Sequence, residues 1–237
     1  MRVVTSSPSL VDQVVEAISD EIVTGVLPSG SRLIQDDLAR AYGVSRQPIQ
    51  QALTLLRGYG LVQSAPGRGL IVSPIDAGFV SDLYEIRAML EGLAARLAAE
   101  RARDRAALEG PALIVAGREA ARSGLVQRQI EADMAFHTFI NHLSGNELIE
   151  ETVRPHWLYF RRVMSELLQK LEGMSASVWD DHEGILDAIV RSDANEAERL
   201  SREHISKAAG KFVRHLQPRG DGRPQPRRRL SSGKLLA

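Results

Sequence analysis

The sequence predicts a mostly α-helical chain in two parts: a winged helix-turn-helix over residues 1–75 and an all-helical bundle over 81–216. Three observations carry this. The first 72 residues read as helix, helix, tight turn, helix and then two short strand-like runs around a Gly-rich turn. From 79 to 215 the apolar residues recur with helical period and no convincing strand intervenes. Between the two lies Pro74-Ile75-Asp76-Ala77-Gly78, read as a linker over 76–80.

In the first part, Ser9 is the expected N-cap of a helix. Leu10, Val14, Ile18 and Ile22 follow at four-residue spacing, and the helix stops near Thr24-Gly25. Pro28-Ser29-Gly30 makes a turn, and Leu33 and Ile34 lead into a short helix over about 35–42 that Gly43 closes. Ser45 is expected to cap a third helix, with Pro48 in its first turn, where a missing N–H costs nothing. Ile49, Ala52, Leu53 and Leu56 fall at i, i+3, i+4 and i+7, so they face a core and Arg46, Gln47, Gln50 and Thr54 face out. After Gly58 and Gly60, Leu61-Val62-Gln63 and Leu70-Ile71-Val72 read as a β-hairpin.

Net charge is zero, and residues 1–75 hold six basic and six acidic residues, so bulk charge does not point to nucleic acid. The placement of the polar residues does. A helix entering the major groove reads bases near its N-terminus, which here carries Ser45, Arg46, Gln47 and Gln50. Arg46 suits guanine or a phosphate, and Gln47 and Gln50 suit adenine edges. Arg32 stands before the second helix, and Arg68 with Gly69 forms the tip of the hairpin, both placed to meet the DNA backbone. Any one of these reads equally as a solvated polar residue; together they point to double-stranded operator DNA.

The 237 residues contain no cysteine, which excludes disulfides and thiolate ligands. The start has no apolar signal-like run, and no stretch approaches the length of a membrane span, so the expected location is the cytoplasm. The expected helices of the second part cover 79–103, 105–122, 125–143, 147–170, 176–191 and 194–215, with Gly110-Pro111 interrupting the second. Residues 217–237, with six basic residues against one acidic, read as a disordered basic tail. Asp133 and His137 share a helix face, and His182 and His204 lie on two later helices. One carboxylate and three imidazoles suit Zn, Ni, Mn or Fe; such residues also occur as surface pairs or as satisfied core histidines.

The run Gly25-Val-Leu-Pro-Ser-Gly-Ser-Arg-Leu33, with Asp37-Leu-Ala-Arg-Ala-Tyr-Gly-Val-Ser-Arg-Gln-Pro-Ile49, Ala52-Leu53 and Gly60-Leu-Val62, resembles the GntR family of bacterial regulators. One departure is Gln50, where the family usually has an arginine that grips the operator; this bears on the half-site, not on the fold. Residues 79–216 resemble the FCD effector domain of that family, a bundle of six or seven helices. The resemblance rests on Leu83-Tyr-Glu-Ile-Arg-Ala-Met-Leu-Glu91, Asp133-Met-Ala-Phe-His137, Ser144-Gly-Asn146, the run from His182 to Ile189, and His204-Ile205. It implies that Asp133, His137, His182 and His204 hold a divalent metal with a small carboxylate effector beside it, and that Arg87 and Arg161 pair with that acid. It also implies a homodimer, with repression the expected sense of regulation.

Two other classes compete with a metabolite-responsive regulator: a helical-bundle metalloenzyme, and a module that only dimerises. Against the enzyme, there is no His-Glu-x-x-His, and Glu183, one residue after His182, points about 100° away around the helix.

Overall fold

A computed structural model describes residues 8–170 and 176–216. Expectations about the basic tail, 217–237, lie outside the described residues. The chain divides into two compact units, residues 8–75 with 156–162, and 76–155 with 163–216.

The first unit opens with α1, Leu10–Thr24. Ser9 caps it through a reciprocal pair with Asp12, each side chain bonding the other's backbone N–H, and Val14, Ile18, Ile22 and Val23 are buried along one face. Then come β1 (Arg32–Leu33), α2 (Gln35–Tyr42) and α3 (Arg46–Gly58). Gly43 ends α2 at φ 66°, a left-handed conformation that favours glycine. Ile49, Ala52, Leu53 and Leu56 are buried on α3, as their spacing requires. Ser45 has extended N-cap backbone, but its side chain makes no capping hydrogen bond, contrary to expectation.

The hairpin of β2 (Val62–Ser64) and β3 (Leu70–Val72) is part of a three-stranded antiparallel sheet of order β1-β3-β2. Arg32 lies opposite Ile71, and Gln63 opposite Ile71 on the other side. A two-residue strand is too short for an alternation signal, so β1 was not legible before its partner was in place. At the wing tip, Gly67 and Gly69 flank Arg68 with φ of 92° and 98°, and the Ala65 N–H donates to the Gly69 carbonyl at 3.0 Å.

The second unit contains α4 (Ala77–Arg101), α5 (Arg103–Ser123), α6 (Val126–Leu143), α7 (Glu147–Val153), α9 (Ala176–Val190), α10 (Ala194–Leu216) and residues 163–170 of α8 (Trp157–Lys170), whose first residues group with the first unit. Three expectations are corrected here. The linker expected over 76–80 is helical from Ala77, because the Asp76 carboxylate accepts from the Phe79 N–H at 3.0 Å and Val80 is fully buried. Pro111 does not interrupt α5: it sits on the exposed side, while Ala106, Gly110, Ile114, Gly117 and Ala120 form a continuous buried stripe past it. Packing of that stripe outweighs one lost backbone hydrogen bond. Finally, the helix expected over 147–170 is two helices, separated by a 3-10 turn, Arg154–His156, built around Pro155.

Small residues let the bundle helices approach closely. A Cβ added at Gly117 would lie 2.0 Å from the Trp179 ring, and one at Gly110 would lie 2.4 Å from Leu186. The core joins α4, α5, α6, α9 and α10 around Phe136, Ile140, Trp179, Ile185 and Ile189. Trp157, Tyr159 and Phe160 on α8 are also buried, as packing residues would be. No helix among the described residues is long and apolar enough to cross a membrane.

Candidate functional site

On the first unit, Arg46, Gln47 and Gln50 are exposed on the outer face of α3, and Ser45 just before it is exposed as well. Arg32 and Arg68 are exposed on β1 and at the wing tip. Arg46 is not solitary: its Nη2 donates to Asp36 Oδ2 on α2 at 2.8 Å. That acid sat outside the sequence argument, being ten residues away on another helix.

The bundle brings Asp133, His137, His182 and His204 together. Asp133 and His137 come from α6, one turn apart, His182 from α9 and His204 from α10. All four are buried, and one ligand atom from each lies within 4.8 Å of the others. His182 Nε2 is 3.1 Å from His204 Nε2 and 3.6 Å from Asp133 Oδ1. His137 Nε2 lies 3.8 Å from Asp133 Oδ2 and has no hydrogen-bond partner, although it is buried. A buried imidazole nitrogen without a partner, aimed at a carboxylate and two more imidazoles, fits a borderline divalent cation.

The electrostatics suit the same use. Burial holds the His182 pKa well below its usual value, and the neighbouring His204, His137 and Arg87 push it the same way. Burial also lowers His204, against an opposing pull from Asp181. Both rings are therefore neutral near pH 7, the state in which imidazole ligates metal.

Two acids that the sequence argument did not single out support the cluster from behind. Glu91 on α4 places Oε2 2.6 Å from His137 Nδ1, and its other oxygen pairs with Arg87 Nε, one turn earlier on α4. Burial alone would raise the Glu91 pKa, but Arg87 and His137 outweigh it and bring it down to about 2. A carboxylate this close keeps the proton on His137 Nδ1 and leaves Nε2 to the cluster. Asp181 stands 3.7 Å from His204 Nδ1. The available signals were the i, i+4 spacing of Arg87 and Glu91 inside an apolar face, and the adjacency of Asp181 to His182. Glu183, which follows His182, pairs with Arg118 at 2.7 Å on the surface.

A cavity of about 320 Å³ opens beside the cluster, lined by Arg87, Asp133, His137 and His204 together with side chains from α8, α9 and α10. His182 lies behind it, fully buried, with its ring stacked 4.4 Å from Phe136. Arg161 is not in the lining. It stands at the start of α8, in the segment that groups with the first unit, and its Nη2 donates to Asp20 Oδ1 at 2.8 Å. On α8 the cavity is reached by Met164, Leu167 and Leu168; Arg161 shares the helix side of Met164 and Leu168, at i+3 and i+7, but stands a turn before them.

Residues 10–72 match the model of bacterial regulatory proteins of the gntR family, and residues 82–207 match the FCD domain. The chain belongs to the gntR family. An HTH-type transcriptional regulator from Streptomyces ambofaciens is 31% identical over 191 residues, covering 78% of this chain and 77% of its own length. The Glc operon transcriptional activator of Escherichia coli K12 is 28% identical over 214 residues, covering 81% and 84%. Among solved structures, E. coli McbR/YncC superposes with a TM-score of 0.75 at 21% identity, covering 88% of this chain and 99% of that one; this likeness concerns the fold alone. The chain spans about half the length of a regulator from Agrobacterium vitis that it matches, 53%, and 36% of one from Mycobacterium tuberculosis. In this gntR-family chain the two matched regions coincide with the winged helix-turn-helix and with the bundle that carries the four-residue cluster.

Proposed function

We propose that this chain is a cytoplasmic, metabolite-responsive transcription regulator that binds operator DNA as a homodimer. Its bundle holds a divalent metal on Asp133, His137, His182 and His204 and, beside it, a small organic acid that modulates DNA binding. The observation that supports this most is the convergence of four buried ligand residues from three helices, three of them on the wall of a cavity, in a chain whose other unit is a winged helix-turn-helix.

In this reading the ion supplies Lewis acidity toward a carboxylate oxygen. Arg87, lining the same cavity, offers its guanidinium to the acid; with five N–H donors it serves Glu91 and a ligand together. Glu91 orients His137, and Phe136 and Trp179 exclude water around His182. Arg46, Gln47, Gln50 and Ser45 read bases, and Arg32, Arg68 and the Gly69 backbone grip phosphates. Two-fold dimers recognise half-sites about one helical turn apart, which gives the homodimer its physical reason. Repression is the expected sense, and a reporter assay in the presence and absence of the acid decides it against activation.

The test is His204→Ala in the full chain, with elemental analysis, thermal melting and operator binding measured together. Metal content, thermal stability and effector response fall together, while DNA affinity without effector stays within about threefold. A protein that cannot be loaded with metal, yet releases operator DNA on adding its acid, rules out the metal-centred mechanism.

A further inference from the structure

Beyond the cluster, the cavity has a wall that neither metal binding nor carboxylate capture explains. Met164, Leu167 and Leu168 from α8, Val178 from α9, and Ile205 and Phe212 from α10 line it, and all but the half-exposed Val178 are buried. The Tyr84 ring meets the Phe212 ring edge-on with centroids 5.3 Å apart, which fixes that end of the wall. Charged groups line its two ends. Arg87, Asp133, His137 and His204 lie on the inner side; Lys207 and Lys211 are exposed on α10, Lys207 being tied to Asp181 at 3.4 Å. His204, Lys207 and Lys211 recur at i, i+3 and i+7 on α10, so the apolar wall spans about two helical turns, roughly 10 Å.

We propose that the acid taken by this site is an amphipathic monocarboxylate, with its carboxylate at the cluster and an aryl or medium-length alkyl body against α8 and α10. This rests on reading the cluster as a carboxylate site. A short hydroxy acid would leave most of the wall uncovered. A polyhydroxylated acid would strand hydroxyls against six apolar side chains, each weakening binding about tenfold. An apolar body gains from the same wall, about fourfold in affinity for each methylene buried. The volume, about 320 Å³, is at the lower end for small-molecule sites and holds a ligand of about ten non-hydrogen atoms at roughly 30 Å³ each. Octanoate and 3-phenylpropionate are of that size.

The experiment is calorimetry and thermal shift on the metal-loaded full chain with butanoate, hexanoate, octanoate, 3-phenylpropionate, glycolate and citrate. Affinity rises about fourfold per methylene along the alkanoates, so about 16-fold for each two-carbon step. 3-Phenylpropionate falls near octanoate, and glycolate and citrate bind at least a hundredfold more weakly. Leu168→Asn weakens octanoate about tenfold while metal content and butanoate binding hold. The chain-length series on the unaltered protein keeps the proposal testable if that variant folds poorly. A flat series, or glycolate or citrate binding more tightly than octanoate, overturns the amphipathic ligand and leaves the acid-responsive regulator standing. Silence of all six acids on metal-loaded protein overturns both readings.

Discussion

Each unit of this protein has an arginine paired with an acid at its candidate functional surface, and the two pairs differ in kind. On the first unit, Arg46 meets Asp36 with side chains 73% and 48% exposed. In the bundle, Arg87 meets Glu91 with side chains 4% and 3% exposed. An exposed pair sits in high dielectric, contributes little to stability, and can be exchanged for a phosphate or a guanine edge at small cost. A buried pair is a different object. Both charges have lost their water, so each depends on the other, and removing one strands its partner. On the proposed reading, the outer face of α3 is thus built to change partners, and the cluster in the bundle to be fixed before any ligand arrives.

Breaking the buried pair gives the largest effect. Glu91→Ala costs about 3–5 kcal/mol in urea unfolding, because Arg87 is left charged and enclosed. It also weakens metal affinity about 10–100-fold through the loss of His137 orientation. A loss under about 1 kcal/mol would show that water reaches Arg87 and that the contrast between the two pairs is false.

The bundle's histidines come next. His182 and His204 have pKa values depressed below the unfolded-state value near 6.5. As pH falls below that value the unfolded chain takes up protons that the folded chain refuses. Stability is therefore present above about pH 6.5 and declines below it, by up to about 1.4 kcal/mol per pH unit for each histidine. Thermal melting of chelator-treated protein from pH 7.5 to 5.5 reads this decline, and a flat profile over that range contradicts it.

The exposed pair gives smaller effects on folding. Arg46→Ala weakens specific operator binding by about 1–3 kcal/mol and leaves folding stability within about 0.5 kcal/mol. Arg68→Ala weakens specific and non-specific DNA alike and lowers the salt slope by about one. Binding unchanged in both variants would put the recognition helix elsewhere. Asp36→Ala is the smallest: stability moves by less than about 0.5 kcal/mol, and operator affinity rises slightly because Arg46 no longer leaves a partner to bind. A fall in affinity, measured at fixed salt, would mean that Asp36 positions Arg46 for DNA.

The sequence by itself determined the elements whose signal is periodic or local. The Ile49, Ala52, Leu53, Leu56 stripe set which face of α3 looks outward, and Ser9 and Gly43 marked helix ends, because spacing and caps act within a few residues. Residue chemistry made Asp133, His137, His182 and His204 suitable ligands, and the resemblance to the FCD domain grouped them. Tertiary structure decided the rest. It carried α5 through Pro111, started α4 at Ala77, paired β1 with β3, and tied Arg161 to Asp20. It also set Glu91 and Asp181 behind the histidines, and enclosed the apolar wall from three helices. Those outcomes depend on which surfaces are buried against each other across tens of residues, and a single chain's local spacing holds no record of that pairing.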